Sequence, residues 1–395
     1  MLSIKELQRP PVITAAEVGE KLAHLASVLK DAGKTGILLT AEGALRWLTG
    51  VRNQISDVAP GADAPVKALV AVSGKNFSVT FVTTPFETPR VKDEQPGAFK
   101  GVANVTVKFA TALPKVDTSK VVLPDDKKHK ELQGKIVRPL AGGLKGNQFK
   151  KLEWVAAMTA KVVAETALKL EIGMNGADVR GLVFKNFADH GLETNMVLVA
   201  LKGQGHHLHP LYGEQYKIEK NALLKIATAG RFGDVIVSET QMIKFGKLTK
   251  DEDAAFRALQ QATVEYADLY RAGANEHDLY VECGKRFKAV EKEYGLSGFA
   301  KSAYNHHLGG PTSPLGNRDY TLNAESRATV FAGESFALNP VEVLKGTKVE
   351  LQGLVTDGAP LILDLSKYVK PETLSFTEIT ASGGTVGKLP NFIIR

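Results

Sequence analysis

Gly173-Met174-Asn175-Gly176-Ala177-Asp178 closes one long helical run and opens the next, and Gly273-Ala274-Asn275-Glu276-His277-Asp278 does the same later in the chain. Gly173, Asn175, Asp178 and Phe187 recur as Gly273, Asn275, Asp278 and Phe287, each at an offset of 100 residues. Lys151 to Leu170 has the apolar spacing of an amphipathic helix, and Asp178 to Asp189 continues as a second. Asp251 to Tyr270 and His277 to Tyr294 repeat that pair. Strand-like runs follow the first pair at Met196–Leu201, Ala222–Ala227 and Asp234–Val237. Helix, glycine turn and helix, followed by strands, predicts two copies of one α/β unit about a pseudo-twofold axis, with a pocket where the two sheets meet.

Upstream of the repeat the pattern changes. Val18, Leu22, Leu25 and Leu29 line one face of a helix, and Gly36–Thr40, Ala68–Val72, Ser78–Val82, Val105–Phe109 and Lys120–Leu123 read as strands. Alternation of this kind predicts an α/β domain with a mixed or parallel sheet. The glycine-rich stretch Leu140 to Asn147 reads as a linker, giving domains at residues 1–146 and 147–395. A chain of 395 residues exceeds one ordinary core.

Composition narrows the class. Hydrophobic residues make up 44% and charged residues 24%, as expected of a folded globular protein rather than a disordered one. No apolar run is long enough to span a bilayer, and Met1 to Glu6 lacks the apolar core of a signal peptide, so no membrane association and a cytoplasmic location are expected. Cys283 is the single cysteine, which excludes an internal disulfide or a cysteine-based metal cluster; its helical spacing reads as a buried packing residue. The net charge of +7 invites an anionic partner, yet the lysines are scattered. Lys127-Lys128-His129-Lys130 lacks interleaved aromatics and reads as a solvated loop, so no nucleic-acid partner is expected. Gly203-Gln204-Gly205 and Gly383-Gly384 are turn glycines without a P-loop lysine, no Gly-x-Ser-x-Gly elbow occurs, and no cofactor is expected.

The ordered set of segments resembles the pita-bread superfamily of creatinase, prolidase, aminopeptidase P and methionine aminopeptidase. The pieces are Trp47-Leu48-Thr49-Gly50, Glu171-Ile172-Gly173-Met174, Leu224 to Gly246, Asn305-His306-His307-Leu308-Gly309, Gly333 to Pro340, and Lys348-Val349-Glu350 through Gly358. The resemblance implies a creatinase/prolidase-type N-terminal α/β domain and a C-terminal pita-bread domain with a pseudo-twofold repeat. Peptidases of this family hold two divalent metals with two Asp, one His and two Glu. The matching positions here are Ala227, Ser238, His306, Asn339 and Glu350, so only His306 and Glu350 keep the family's residue types. Alanine cannot ligate, and neutral serine and asparagine are poor ligands for hard dications. No metal is therefore expected, and creatinase, which works without one, becomes the nearer precedent.

By that resemblance His209, in His206-His207-Leu208-His209-Pro210, takes the position of the catalytic histidine, with His207 next to it. Five histidines fall in two segments the fold would bring together, and a neutral imidazole can accept and return a proton near pH 7. His306 and Glu350 complete the catalytic set, Glu350 orienting an imidazole or clamping a cationic group. The substrate-binding candidates are His207, Lys225, Glu239, Asn339 and Arg52. Lys225 shares a strand face with Ala227 and could replace lost metal charge, against the alternative of a strand-end lysine reaching water. Glu239 would point to the opposite face from Ser238 unless the strand register slips. Arg52 follows the Trp47–Gly50 turn, where creatinase-like dimers send a residue into the partner's site; a plain surface arginine is the alternative.

Three functions remain open. The first is a metal-independent hydrolase of C–N bonds (amidino, amide or peptide-like) in a small polar substrate, anionic or zwitterionic, with His209 as proton shuttle. The second is a non-catalytic binding protein, as some pita-bread domains are. The third is a metal-free lyase. A mononuclear site built from His206, His207, His209, His306 and Glu350 is the one arrangement that could restore a metal. A homodimer is expected by resemblance alone.

Overall fold

The computed structural model describes residues 12–52, 63–94, 96–201, 204, 210, 215–304, 308–315, 321–370 and 372–395. The chain divides into two compact units. The first is Met1–Leu152 with Gly233–Ile236 and Thr312–Gly316; the second is Glu153–Phe232, Val237–Pro311 and Asn317–Arg395.

The first unit contains α1 (Ala15–Asp31), β1 (Gly36–Ala41), α2 (Glu42–Thr49), β2 (Asp63–Ser73), β3 (Asn76–Val82), α3 (Thr88–Glu94), β4 (Val105–Ala110), β5 (Val121–Val122) and α4 (His129–Val137). Thr14 caps α1 by accepting from the Glu17 backbone N–H, and Val18, Leu22, Leu25 and Leu29 form the buried stripe of this helix. The sheet runs β4-β3-β2-β1-β5. It is mixed: β1 pairs antiparallel with β2 and parallel with β5, and β3 pairs parallel with β4. β1 is buried along its whole length, Thr40 included, with Ile37, Leu38 and Leu39 as its apolar run.

Lys127 and Lys128 are exposed in a turn, as the solvated-loop reading expects, but the loop ends there and the reading fails for His129. His129 opens α4, is buried, and its Nε2 lies 2.7 Å from the Leu38 carbonyl oxygen. Leu132, Ile136 and Val137 bury the inner face of this helix, and the lysines around His129 face outward.

The chain continues through α5 (Asn147–Lys169), α6 (Gly176–Asp189), β6 (Glu193–Ala200), β7 (Leu223–Phe232), β8 (Val235–Lys244), α7 (Lys250–Ala267), α8 (Glu276–Tyr294) and α9 (Phe299–Tyr304). Then come β9 (Gly309–Thr312), β10 (Ser335–Leu338), β11 (Val341–Glu342), β12 (Thr347–Lys348), β13 (Leu351–Leu354), β14 (Leu361–Ile362), β15 (Phe376–Thr380), β16 (Val386–Pro390) and β17 (Ile393–Ile394). Two four-stranded sheets result, β17-β8-β7-β6 and β14-β13-β10-β9.

The sequence repeat is a structural one. Asn175 and Asn275 are the N-caps of α6 and α8. Gly173 and Gly273 take φ of 99° and 83°, conformations that favour glycine. The Gly173 N–H donates to Ile218 O and the Ile218 N–H to Met174 O, while the Gly273 N–H donates to Val330 O and the Val330 N–H to Ala274 O. Phe187 and Phe287 are both buried beneath their helices. Cys283 lies in the core around α7 and α8, and burial pushes its thiol pKa well up, the opposite of what a reactive thiolate needs. Among the described residues no helix is long and apolar enough to cross a membrane.

Candidate functional site

β8 is buried at every position although Ser238-Glu239-Thr240-Gln241 runs through it. A buried strand with four polar residues in succession needs internal partners for them. Thr240 finds one outside its own sheet: its hydroxyl donates to Glu350 Oε2 at 2.6 Å. Glu350 stands between β12 and β13, where Leu351 pairs with Leu338, so Glu350 and Asn339 flank the same end of the β10–β13 ladder. Lys348, at the end of β12, closes the triangle. Its Nζ donates to Glu350 Oε2 at 2.8 Å and to Thr240 Oγ1 at 2.7 Å. β8 thus meets the segment joining β12 and β13 at a buried ion pair, Lys348 being 4% and Glu350 2% exposed.

Lys225 joins from β7. It pairs in register with Ala200, two positions before Ala227, which pairs with Leu198. At 1% exposure it does not reach solvent, which removes the strand-end reading. Burial, and then repulsion from Lys348, lower its pKa to about 7. Glu239 is moved the other way: burial, and then the Glu350 charge, hold its carboxyl well above the usual carboxylate range, against the opposing pull of Lys348. Lys225 and Glu239 are thus two buried groups whose pKa values burial shifts in opposite directions, each disfavouring its charged form.

Of the candidates read from the sequence, the structure links Lys225, Glu239 and Glu350 through Lys348. Asn339 is buried, and its backbone N–H donates to Leu308 O. Arg52 is half-buried and belongs to the first unit. His206, His207, His209 and His306 lie outside the described residues. Sequence reading missed Lys348 and Thr240. Thr240 lies two residues beyond Ser238, on the same strand face, which was the signal available for it. Lys348 lies two residues before Glu350, which was the signal available for it, but its second partner, Thr240, is 108 residues away.

The residues at the positions that the sequence resemblance assigns to the family's metal ligands do not suit a pair of divalent cations. Ala227 offers no donor, Ser238 and Asn339 are neutral, and the Glu350 carboxylate is engaged by an ammonium group. Among the described residues no group of three or more His, Cys, Asp or Glu is placed to hold a metal ion.

The sequence model of metallopeptidase family M24 matches residues 150–357. Among solved structures, an Xaa-Pro dipeptidase from Bacillus anthracis is 14% identical with a TM-score of 0.66, the alignment covering 96% of this chain and 100% of that one. The dipeptidase PepE from Mycobacterium ulcerans is 17% identical with a TM-score of 0.64, covering 89% of this chain and 96% of that one. The prolidase from Pyrococcus horikoshii OT3 is 13% identical with a TM-score of 0.63, covering 87% and 97%. No curated protein matches the chain.

Proposed function

The chain belongs to metallopeptidase family M24 and has the pita-bread fold preceded by an N-terminal α/β unit, and we propose that within this family it is a hydrolase of C–N bonds in small polar substrates that works without a metal pair. The observation that carries the reading is the buried Lys348–Glu350 pair beside Lys225. Two amines lie next to the positions where the family's peptidases place acidic ligands, and a cluster so charged suits an amide, amidino or dipeptide-like substrate better than a pair of dications. The dipeptidase and prolidase names of the structural neighbours support the same substrate class.

In this reading Lys225 polarises the carbonyl or amidino carbon. His209 takes a proton from water as its oxygen adds to that carbon, and the proton passes to the departing nitrogen as the C–N bond breaks. His306 and Glu350 orient the reacting groups. A homodimer, with Arg52 turned towards the partner's site, belongs to the proposal by resemblance alone.

The test is turnover of a panel of dipeptides, including Xaa-Pro, and of guanidino compounds, by protein whose metal content has been measured. Turnover unchanged by chelator is expected. Two tightly bound Mn, Co or Zn ions per chain, or activity only after metal addition, would overturn the reading. A second reading, a binding protein without turnover, is favoured by one observation: Lys225, Lys348, Glu350 and Glu239 are all buried. Ligand-induced thermal stabilisation without product formation would select it.

A further inference from the structure

Resting on the same placement of the site as the proposed function, we propose that Gly43 is a positioning residue. Through Pro314 it fixes residues 308–315, and that stretch holds the backbone of Asn339, one of the site positions. Glycine is a poor residue inside a helix, so Gly43, the second residue of the eight-residue α2, needs a reason. Its φ lies outside the left-handed region, so the reason is space. A Cβ at residue 43 would stand 1.8 Å from Pro314 O, 2.4 Å from Pro314 C and 2.8 Å from Leu315 N, all backbone atoms that no rotamer change can move. Gly19 in α1 is the contrast, since a Cβ there meets nothing within 4 Å.

Thr312–Gly316 groups with α2 in the first unit, and Leu315 packs against that unit's core. The other end of the stretch is held too. Gly309 takes a φ of 100°, and a Cβ on it would stand 2.2 Å from Ala337 O. Its neighbour Leu308 accepts, through its carbonyl oxygen, from the Asn339 N–H at 3.2 Å. Between the two ends Pro311 and Pro314 fix their own φ, and β9 is buried throughout. Of the two sides of the Gly43 contact, α2 is the firmer. Every residue from Glu42 to Thr49 is buried, and Arg46 is tied to Glu42 at 2.7 Å, whereas Leu315 is only partly buried. A methyl group at residue 43 therefore displaces the stretch rather than the helix, and the shift reaches Asn339 through Leu308.

The experiment is amide hydrogen exchange, resolved by residue, on the full chain and on its Gly43→Ala and Gly19→Ala variants. In Gly43→Ala the amides of residues 309–315 and of Asn339 are expected to exchange roughly tenfold faster or more, while those of α7 keep their rates. Gly19→Ala is expected to change neither set. A glycine with a merely structural role gives a different pattern: uniform acceleration in both units, or a change confined to residues 313–315. Either pattern overturns the assignment, as does no change at all. Leu315→Ala loosens the same anchor without a clash and carries the test if Gly43→Ala does not fold; an Asn339 amide indifferent to it overturns the assignment as well. Exchange is read without turnover, so the two readings fail separately. Metal-dependent turnover with a responsive Asn339 amide sinks the hydrolase reading alone, and metal-free turnover with an unresponsive one sinks the role of Gly43 alone.

Discussion

A buried ammonium 2.8 Å from a buried carboxylate adds little net stability while both are present, because the cost of taking each from water nearly cancels their attraction. Removing one partner is different. Lys348→Met leaves Glu350 charged and buried with only the Thr240 hydroxyl from this triangle, and is expected to lower the unfolding free energy by about 3–5 kcal/mol. Adding Glu350→Gln should recover most of the loss; urea midpoints for both proteins check it, and a double variant no better than the single would show that the two side chains are not energetically coupled. Lys225 gives a prediction of opposite character. Its folded pKa of about 7 lies below the ordinary lysine value of 10.5. Below about pH 7 both folded and unfolded chains carry the proton, and the burial penalty is fully present. From about pH 7 to 10.5 the unfolded chain keeps a proton the folded chain has released, so stability rises with pH. The rise from this residue is up to roughly 5 kcal/mol, and Lys225→Met should flatten it. Equal pH slopes for the two proteins, measured by chemical denaturation, would mean that the Lys225 amine is not desolvated.

At the scale of elements, the repeat makes a paired prediction. Asn175 accepts from the Ala177 and Asp178 N–H groups at the start of α6, and Asn275 accepts from the His277 N–H at the start of α8. Each Asn→Ala change is expected to cost about 1 kcal/mol. The Asn175 loss should be the larger, because the Asp178 side chain completes a capping box there; thermal denaturation of the two single variants compares them, and an equal or reversed order would remove the capping box from the explanation. These helices, their caps and the offset between them were legible from local pattern, since periodicity and cap chemistry are properties of neighbouring residues. Elements made by distant partners were not. β12 is two residues long and exists through its pairing with β11. β8 carries Ser238-Glu239-Thr240-Gln241, which no alternation marks as a buried strand. α4 was hidden behind Lys127-Lys128-His129-Lys130, because charge density there outweighed a short apolar face. In the site, Lys225, Glu239 and Glu350 were singled out by their positions in the ordered motifs, whereas the tie of Lys348 to Thr240, 108 residues away, becomes visible only in space.

At the scale of the whole molecule, a four-residue segment far from the N-terminus in sequence belongs to the first unit, Gly233–Ile236. Asp234 within it accepts from Lys21 at 2.8 Å, from Gln148 at 2.8 Å and from Lys151, while Glu17 bridges Lys21 at 2.6 Å and Lys151 at 2.7 Å. All four charged groups are buried, two of each sign, and against the push of burial Lys151 and Lys21 hold the Asp234 carboxyl below its ordinary range. A change at residue 234 should therefore be felt by the N-terminal unit. The two tryptophans allow that to be read, because Trp47 is buried in the first unit, with Lys21 5.6 Å from its ring, and Trp154 lies in the second. In a Trp154→Phe background, Asp234→Asn is expected to lower the stability reported by Trp47 fluorescence by about 3–5 kcal/mol, since it strands one lysine without a carboxylate. Lys151→Met alone strands a carboxylate and should cost a similar amount. Combined, the two changes leave Glu17 facing Lys21, one charge of each sign, so the double variant should lose less than the sum of the singles. Strict additivity would mean that the four groups do not act as one network, and a Trp47 transition indifferent to Asp234→Asn would mean that the segment contributes nothing to holding the first unit together.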